Sequence, residues 1–324
     1  GGGEGPAPPT GQGFDVFERP QSLGFEKDRY FNEGGEYLTD RFTEEAIGFM
    51  AARSKGSGQD EPFFVYLAYH GVHSPFEAKP DLVAKYKKMG VPDADYAATV
   101  EAVDQNVGRV MAALKRLQLD DNTLVIFTSD NGGNRRHTDP LRSGKGSVYE
   151  GGIRVPAAVW GPGLGVKAGL ENDEAILSMD FYPTILEMAG LKPDPAHKLD
   201  GVSFAATLRG GSSPGREAVF WHFPCYIGGG GPSSAIRKGD FKLIEFFEDR
   251  RVELYNLAAD PGENEDLALS LPAKATELYG DLQSWQRETG AALVTKANPK
   301  FDPNAAPKRG RDQRGKGGEG KNRK

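Results

Sequence analysis

A short apolar segment that runs into an acid, an amide and two glycines is the feature that most constrains this chain. Residues 123–127 are of strand length, and Asp130 and Asn131 follow shortly after them, with a Gly-Gly pair behind. A carboxylate and a carboxamide are hard oxygen ligands, and open α/β sheets bind their ligands at the carboxyl ends of strands. On the next loop, Lys145 stands between two glycines and supplies a positive charge for an anion. The pattern favours chemistry on a tetrahedral oxyanion, either a sulfate or a phosphate.

Helices and strands alternate through the larger, N-terminal part of the chain. Apolar residues at helical spacing predict helices over residues 36–52, 81–89, 96–117 and 180–189. Apolar runs of strand length predict strands over residues 62–69, 123–128 and 154–160. The first of these runs is apolar almost throughout, as in strands that are buried on both faces. The alternation predicts an α/β fold with a mostly parallel sheet flanked by helices.

The pattern changes at about residue 213. Short strands separated by glycine and aspartate turns are predicted at residues 218–221, 234–237, 241–244 and 252–255, and one helix at residues 272–289. We therefore predict a small C-terminal antiparallel sheet with one helix. The predicted divisions are residues 1–12 as a linker or cut edge, 13–212 as part of an α/β domain, 213–295 as an α+β subdomain and 296–324 as a disordered basic tail.

Charge is distributed unevenly along the 324 residues. The net charge is −6, yet residues 308–324 hold eight Lys or Arg against two acids, so the rest of the chain is acidic. An acidic body argues against nucleic-acid binding. The glycine-rich tail is expected to be disordered, either as a solvated terminus or as a segment that binds polyanions. No apolar run approaches the roughly 18 residues of a membrane span, and a single cysteine excludes an internal disulfide.

Several blocks together resemble the sulfatase family, the formylglycine-dependent type I sulfuric-ester hydrolases of the alkaline-phosphatase superfamily. The blocks are residues 13–17, 37–40, 70–75, the pair Asp130 and Asn131, and residues 145–156. The resemblance runs from about residue 13 to about residue 269 and implies an alkaline-phosphatase-like fold. It also implies hydrolysis of a sulfated sugar or an aryl sulfate, and a periplasmic or extracellular location.

The resemblance assigns roles to four residues. Asp130 and Asn131 match the pair that supplies oxygen ligands to one calcium ion (Ca2+), which polarises the sulfate. Lys145 matches the lysine that contacts the sulfate. His73 matches the histidine that contacts the sulfate or protonates the leaving oxygen, a role that suits an imidazole. From the residues alone, Asp130 and Asn131 also fit an Asx turn at the end of a strand. The Gly-Lys-Gly-Ser string around Lys145 resembles part of a P-loop, but Asp139 stands where a P-loop has its leading glycine, so that motif is excluded.

His70 and His222 are weaker candidates for substrate binding. His70 and His73 have the i, i+3 spacing of some metal ligands, but no third ligand stands nearby in the sequence, so zinc is disfavoured. We expect His70 at the wall of the pocket or in a structural role. We expect His222 either to face the pocket from the C-terminal subdomain, where it contacts the sugar or aryl group, or to pack at a strand end.

The family's nucleophile, a formylglycine, has no expected counterpart in this chain. It is made from the first residue of a Cys/Ser-x-Pro/Ala-x-Arg motif, and the only cysteine, Cys225, lies outside such a motif. The family's early paired aspartates are absent too. We expect the chain to correspond to the C-terminal two-thirds of a sulfatase. It should then have an incomplete calcium site, no activity alone and a tendency to aggregate through exposed sheet edges.

Two other functions stay open from the residues. A phosphodiesterase or phosphatase of the same superfamily needs two transition metals and several histidines, and the histidines that follow His73 form no metal-like pair. The second alternative is a non-catalytic module that binds sulfated glycans, helped by the basic tail.

Overall fold

The computed structural model describes residues 9–54, 62–212, 215–226, 231–294, 296 and 298–302. The chain forms two compact units, residues 1–123 with 161–164, and residues 124–160 with 165–324. The predicted domain boundary near residue 212 falls inside the second unit and stays a prediction. Most of the predicted N-terminal linker and of the basic tail lies outside the described residues. Among the described residues, no helix is long and apolar enough to cross a membrane.

In the described part of the first unit there are three α-helices, close to their predicted positions. They are α1 Leu38–Ala52, α2 Pro80–Lys88 and α3 Ala94–Arg116. α3 packs against both other helices. Ala98 and Ala102 lie one turn apart on α3, are fully buried, and share a cluster with the buried ring of Tyr30. Small residues on one face of α3 therefore make room for a large aromatic side chain in this core.

The second unit contains six strands and four helices within the described residues. They are β1 Val125–Thr128, α4 Glu150–Ile153, β2 Ala157–Trp160, α5 Phe181–Met188, α6 Ala205–Leu208, β3 Ala218–Phe223, β4 Ser233–Lys238, β5 Phe241–Phe246, β6 Val252–Asn256 and α7 Pro272–Thr289. β1 and β2 pair antiparallel, whereas the sequence predicted a mostly parallel sheet. A parallel pair needs a crossover connection, usually a full helix. The connection from β1 to β2 holds only the short α4 and folds into a compact loop, so β2 returns alongside β1.

Residues 62–69 were predicted as a strand buried on both faces, and this prediction is wrong for the described part of the chain. No strand is formed there, and Phe64 and Tyr66 are 56% and 72% exposed. An apolar run is buried only where neighbouring strands and helices cover it, so strand propensity alone does not place it in a sheet.

β3, β4, β5 and β6 form an antiparallel sheet in that order. Successive residues of β5 point to opposite faces. On one face, Leu243 and its partner Ile236 pack with Leu278 of α7. On the other face, Ile244 packs with Tyr149, which comes from the segment just after Lys145. The predicted small antiparallel sheet with one helix is therefore confirmed, and the lysine-containing loop leads onto its second face.

Candidate functional site: a glycine-closed loop with an acid, an amide and a lysine

Asp130 and Asn131 lie on the loop that follows β1. Asp130 is exposed and Asn131 is half-buried. Ser129 Oγ donates a hydrogen bond to the backbone oxygen of Asn131 at 3.0 Å, which fixes the turn. Among the described residues, neither the carboxylate nor the side-chain amide has a hydrogen-bond partner. Both groups are therefore available to a ligand.

Glycines close this loop on itself. Gly132 N donates to Gly152 O at 3.0 Å. A Cβ on Gly132 would lie 2.0 Å from Gly151 O, and one on Gly144 would lie 2.6 Å from Gly133 O. Side chains do not approach backbone atoms this closely, so only glycine permits the backbone segments to meet.

Lys145 is held on the same loop by its backbone. Its N–H donates to Gly133 O at 2.9 Å, and Gly133 stands two residues beyond Asn131. Ser143 has a φ of 65°, in the left-handed region, and its oxygen accepts a hydrogen bond from Thr138 Oγ1 at 2.7 Å. The Lys145 side chain is exposed. One closed loop therefore carries the acid, the amide and the lysine.

A buried ion triad anchors the end of this loop. Lys242 on β5 is fully buried, and its Nζ lies 2.8 Å from Glu150 Oε1 and 2.8 Å from Glu263 Oε1. Glu263 Oε2 accepts a hydrogen bond from Glu150 N at 2.7 Å. Burial raises the pKa of the Glu263 carboxyl, and the Lys242 ammonium opposes that rise. The triad joins α4, β5 and the turn after β6.

A second set of polar contacts holds the middle of the loop. Arg142 donates to Tyr255 Oη and to Glu263 O, both at 2.8 Å, and its guanidinium lies 4.2 Å from the centre of the Tyr149 ring. Tyr149 and Tyr255 donate to Glu253 Oε2 at 2.6 and 2.7 Å. Burial and the Glu253 carboxylate raise the pKa of both hydroxyls, so each tyrosine keeps its proton and remains a donor.

These anchoring residues were not predicted from the sequence. Lys242 stands in an apolar strand at the same parity as Ile244, which packs inward. A lysine at an inward position is the signal that an acidic partner is buried beside it. Nothing in the sequence pointed to Glu150 or Glu263 as that partner, because both are distant from Lys242 along the chain.

His70 and His73 lie together in the first unit. His73 is exposed and its Nδ1 lies 2.6 Å from Ser74 O, an acceptor only, so Nδ1 carries the proton and Nε2 remains for a ligand. Tyr30 Oη donates to His73 O at 2.6 Å, and its ring packs against that of His70 at 4.9 Å. Burial lowers the pKa of the His70 imidazole. This packing favours the structural role for His70, while the role of His73 stays a prediction.

His222 lies on β3, with both ring nitrogens engaged inside the second unit. Its Nε2 lies 2.9 Å from Ala292 O, which only accepts, so Nε2 carries a proton. Its Nδ1 lies 2.6 Å from Ser234 Oγ. This arrangement favours packing at a strand end. A contact between His222 Nε2 and a sugar would require the hydrogen bond to Ala292 O to break, and that contact stays a prediction.

The oxygen ligands on the loop fit only part of a calcium site. In the described part of the chain, no group of three or more His, Cys, Asp or Glu side chains is placed to hold a metal ion. Asp130 and Asn131 offer the hard oxygens that calcium prefers, but calcium takes about six to eight ligands. These two side chains therefore supply fewer than half of the ligands that calcium needs.

Two stretches match the serine form of the family's nucleophile motif, contrary to the expectation from sequence. They are residues 212–216, of which 213 and 214 lie outside the described residues, and residues 233–237. Both follow the lysine loop, whereas the family resemblance places the motif ahead of all the matching blocks. Ser233 is buried in β4, the second strand of the sheet, and Arg216 is hydrogen-bonded to Asp180. The buried hydroxyl of Ser233 is therefore not placed as an exposed nucleophile.

Comparison with known proteins identifies the class of this chain. A family model described as Sulfatase matches residues 4–191, and one described as N-sulphoglucosamine sulphohydrolase, C-terminal, matches residues 143–284. A sulfatase of Formosa agariphila is 39% identical over 280 residues, which are 77% of this chain and 50% of that protein. The N-acetylgalactosamine-6-sulfatase of Mus musculus is 29% identical over 71% of this chain and 43% of its own length.

The crystal structure of Ps i-CgsB in complex with k-i-k-neocarrahexaose has a TM-score of 0.69 to this chain and is 31% identical, over 82% of this chain and 60% of that one. The fold is therefore of the alkaline-phosphatase-like α/β class, as the sequence predicted. The chain belongs to the sulfatase family, a family of hydrolases. It spans about half the length of the curated relatives described above.

Because glycines close the loop, substitution by alanine should destabilise the protein far more at Gly132 than at the adjacent Gly133. In Gly132→Ala the new Cβ meets Gly151 O, whereas in Gly133→Ala the nearest atom is Thr138 Cγ2 at 3.4 Å, an ordinary contact. We expect Gly132→Ala to cost about 1–3 kcal/mol of unfolding free energy and Gly133→Ala to cost well under about 1 kcal/mol. Urea denaturation of both variants measures the difference, and equal stabilities would contradict the closure.

The ion triad predicts that two lysines of the same sheet differ greatly in importance. Lys242→Met keeps the buried stem but leaves Glu150 and Glu263 without their cation, so we expect a loss of about 3–5 kcal/mol. Lys238→Met removes a half-exposed pair with Asp281 and should cost less than about 1 kcal/mol. The unfolding free energies from urea titrations test this. A Lys242→Met loss no larger than that of Lys238→Met would rule out the triad as an anchor.

Proposed function

We propose that this chain is the part of a sulfuric-ester hydrolase that holds the sulfate group of a sulfated carbohydrate. The observation that supports this most directly is the closed loop that carries Asp130, Asn131 and Lys145, joined by the hydrogen bond from Lys145 N to Gly133 O. A cation beside two hard oxygen ligands suits a sulfate ester, whose oxygens stay negatively charged through the reaction. An N-acetylgalactosamine-6-sulfatase and a structure with a bound neocarrahexaose among the relatives support a sugar substrate.

Each side chain has a distinct role in this proposal. Lys145 holds a sulfate oxygen through its ammonium group, which is a compact point charge. Asp130 and Asn131 would supply two of the oxygen ligands of a calcium ion, and that ion would polarise the sulfate. The family resemblance gives His73 the transfer of a proton to the leaving oxygen, which requires a second proton on Nε2 because Nδ1–H is bonded to Ser74 O.

The proposal assigns no nucleophile to this chain. Cys225 lies outside the motif of the family, and the two serine matches follow the lysine loop, whereas the family resemblance places the motif ahead of it. Removal of the nucleophile costs an enzyme many orders of magnitude in rate. The chain alone is therefore expected to bind sulfate esters without hydrolysing them.

Binding of a sulfated sugar should depend on Lys145. We expect Lys145→Gln to weaken the binding of N-acetylgalactosamine 6-sulfate about tenfold, because one charge-assisted hydrogen bond is lost. Lys192→Gln removes the same charge from an exposed loop position in the same unit and should leave the affinity unchanged. Isothermal titration calorimetry at fixed salt gives both values. Equal affinities for all three proteins, or equal binding of unsulfated N-acetylgalactosamine, would contradict the proposal.

Calcium binding and turnover should both be weak for the chain alone. With only Asp130 and Asn131 as side-chain ligands, we expect a calcium Kd of about 10⁻⁴ M or weaker, and no measurable binding to Asp130→Ala. Hydrolysis of 4-nitrophenyl sulfate should not exceed that of the Asp130→Ala control. Micromolar calcium affinity, or turnover above the control, would show that the chain holds a complete site.

A further inference from the structure

The loop that carries Lys145 has a second exposed cation, Arg135. Of the basic side chains on this loop, Arg142 is bound to Tyr255 and to a backbone oxygen, and Arg136 has an interaction of its own. The side chains of Arg135 and Lys145 are exposed and have no hydrogen-bond or ionic partner within the described residues. They are therefore the two cations of the loop that are left for a ligand.

The backbone fixes Arg135 beside Lys145. A Cβ on Gly144 would lie 2.9 Å from Arg135 N and 3.2 Å from Arg135 Cγ, so the stem of Arg135 lies against the residue that precedes Lys145. Arg136 N donates to Asn134 Oδ1 at 3.2 Å, which sets the direction of this turn. Because the stem is already packed, less side-chain entropy is lost when the guanidinium binds a ligand.

We propose that Arg135 binds a second anionic group, a sulfate or a carboxylate, on the carbohydrate whose sulfate ester Lys145 holds. This inference rests on the proposed function and narrows its substrate to a carbohydrate with at least two anionic groups. Two neighbouring cations repel each other unless each meets an anion. A guanidinium presents parallel N–H groups that bind two oxygens of one anion, which a lysine ammonium cannot do.

The test compares two ligands and a small set of variants of the full chain. The ligands are a galactose disaccharide with one sulfate ester and the same disaccharide with one sulfate on each sugar. The variants are Arg135→Gln, Arg135→Lys, Lys145→Gln and, as a matched loss of charge, Arg287→Gln on the exposed end of α7. Calorimetric affinities are measured at one salt concentration near the physiological value, because screening weakens exposed charges.

We expect the unchanged chain to prefer the disulfated ligand. Arg135→Gln should reduce the preference for the disulfated ligand about tenfold and should bind the monosulfated ligand as the unchanged chain does. Arg135→Lys should keep only part of the preference. Arg287→Gln should behave as the unchanged chain. An equal effect of Arg135→Gln on both ligands, or no effect, would overturn this inference and leave the proposed function in place. No effect of Lys145→Gln on either ligand would instead overturn the proposed function.

Discussion

The second unit depends on one buried ion triad, formed by Lys242, Glu150 and Glu263. A fully buried ammonium is costly to remove from water, and only close pairing with carboxylates offsets that cost. The three residues come from three separate segments, and each carboxylate lies 2.8 Å from the ammonium of Lys242. Because no two of these segments satisfy the charges alone, the lysine loop, β5 and the turn after β6 have to assemble together. The C-terminal sheet therefore supports the candidate loop through Lys242. Of its residues, the sequence had pointed only to His222, as a contact for the sugar or aryl group.

The triad fixes the end of the loop, and glycines fix its shape. At Gly132 and Gly144 the backbone approaches other backbone segments so closely that no side chain fits. Backbone hydrogen bonds, such as that from Lys145 N to Gly133 O, hold the loop together from within, and the side chains of Asp130 and Lys145 are exposed. A loop of this kind holds an anion site with little loss of side-chain freedom in its own interior, which is a form of preorganisation.

The sequence predicted most of the helices and strands, but it predicted little of which segments lie beside one another in the fold. α7 and the four strands of the C-terminal sheet were predictable, because their period and their turn residues are local signals. The antiparallel pairing of β1 with β2, and the exposure of Tyr66, depend on which other segments lie alongside and have no local signal. The same reason explains the site. Asp130, Asn131 and Lys145 were found from short motifs, whereas Lys242 and Glu263 meet only in the folded chain.

The residues that hold the loop in place, such as Lys242 and Gly132, are different from the exposed cations that are left for a ligand, such as Arg135. Changes at Lys242 or Gly132 act through burial and backbone contact, so they alter folding before they alter recognition. Arg135 is exposed on the same loop, and within the described residues its guanidinium has no hydrogen-bond or ionic partner. A substitution there changes the charge presented to a ligand at little cost in stability. If the loop binds a sulfate ester as proposed, recognition of the rest of the ligand can change at such an exposed position while the buried contacts that hold the loop stay the same.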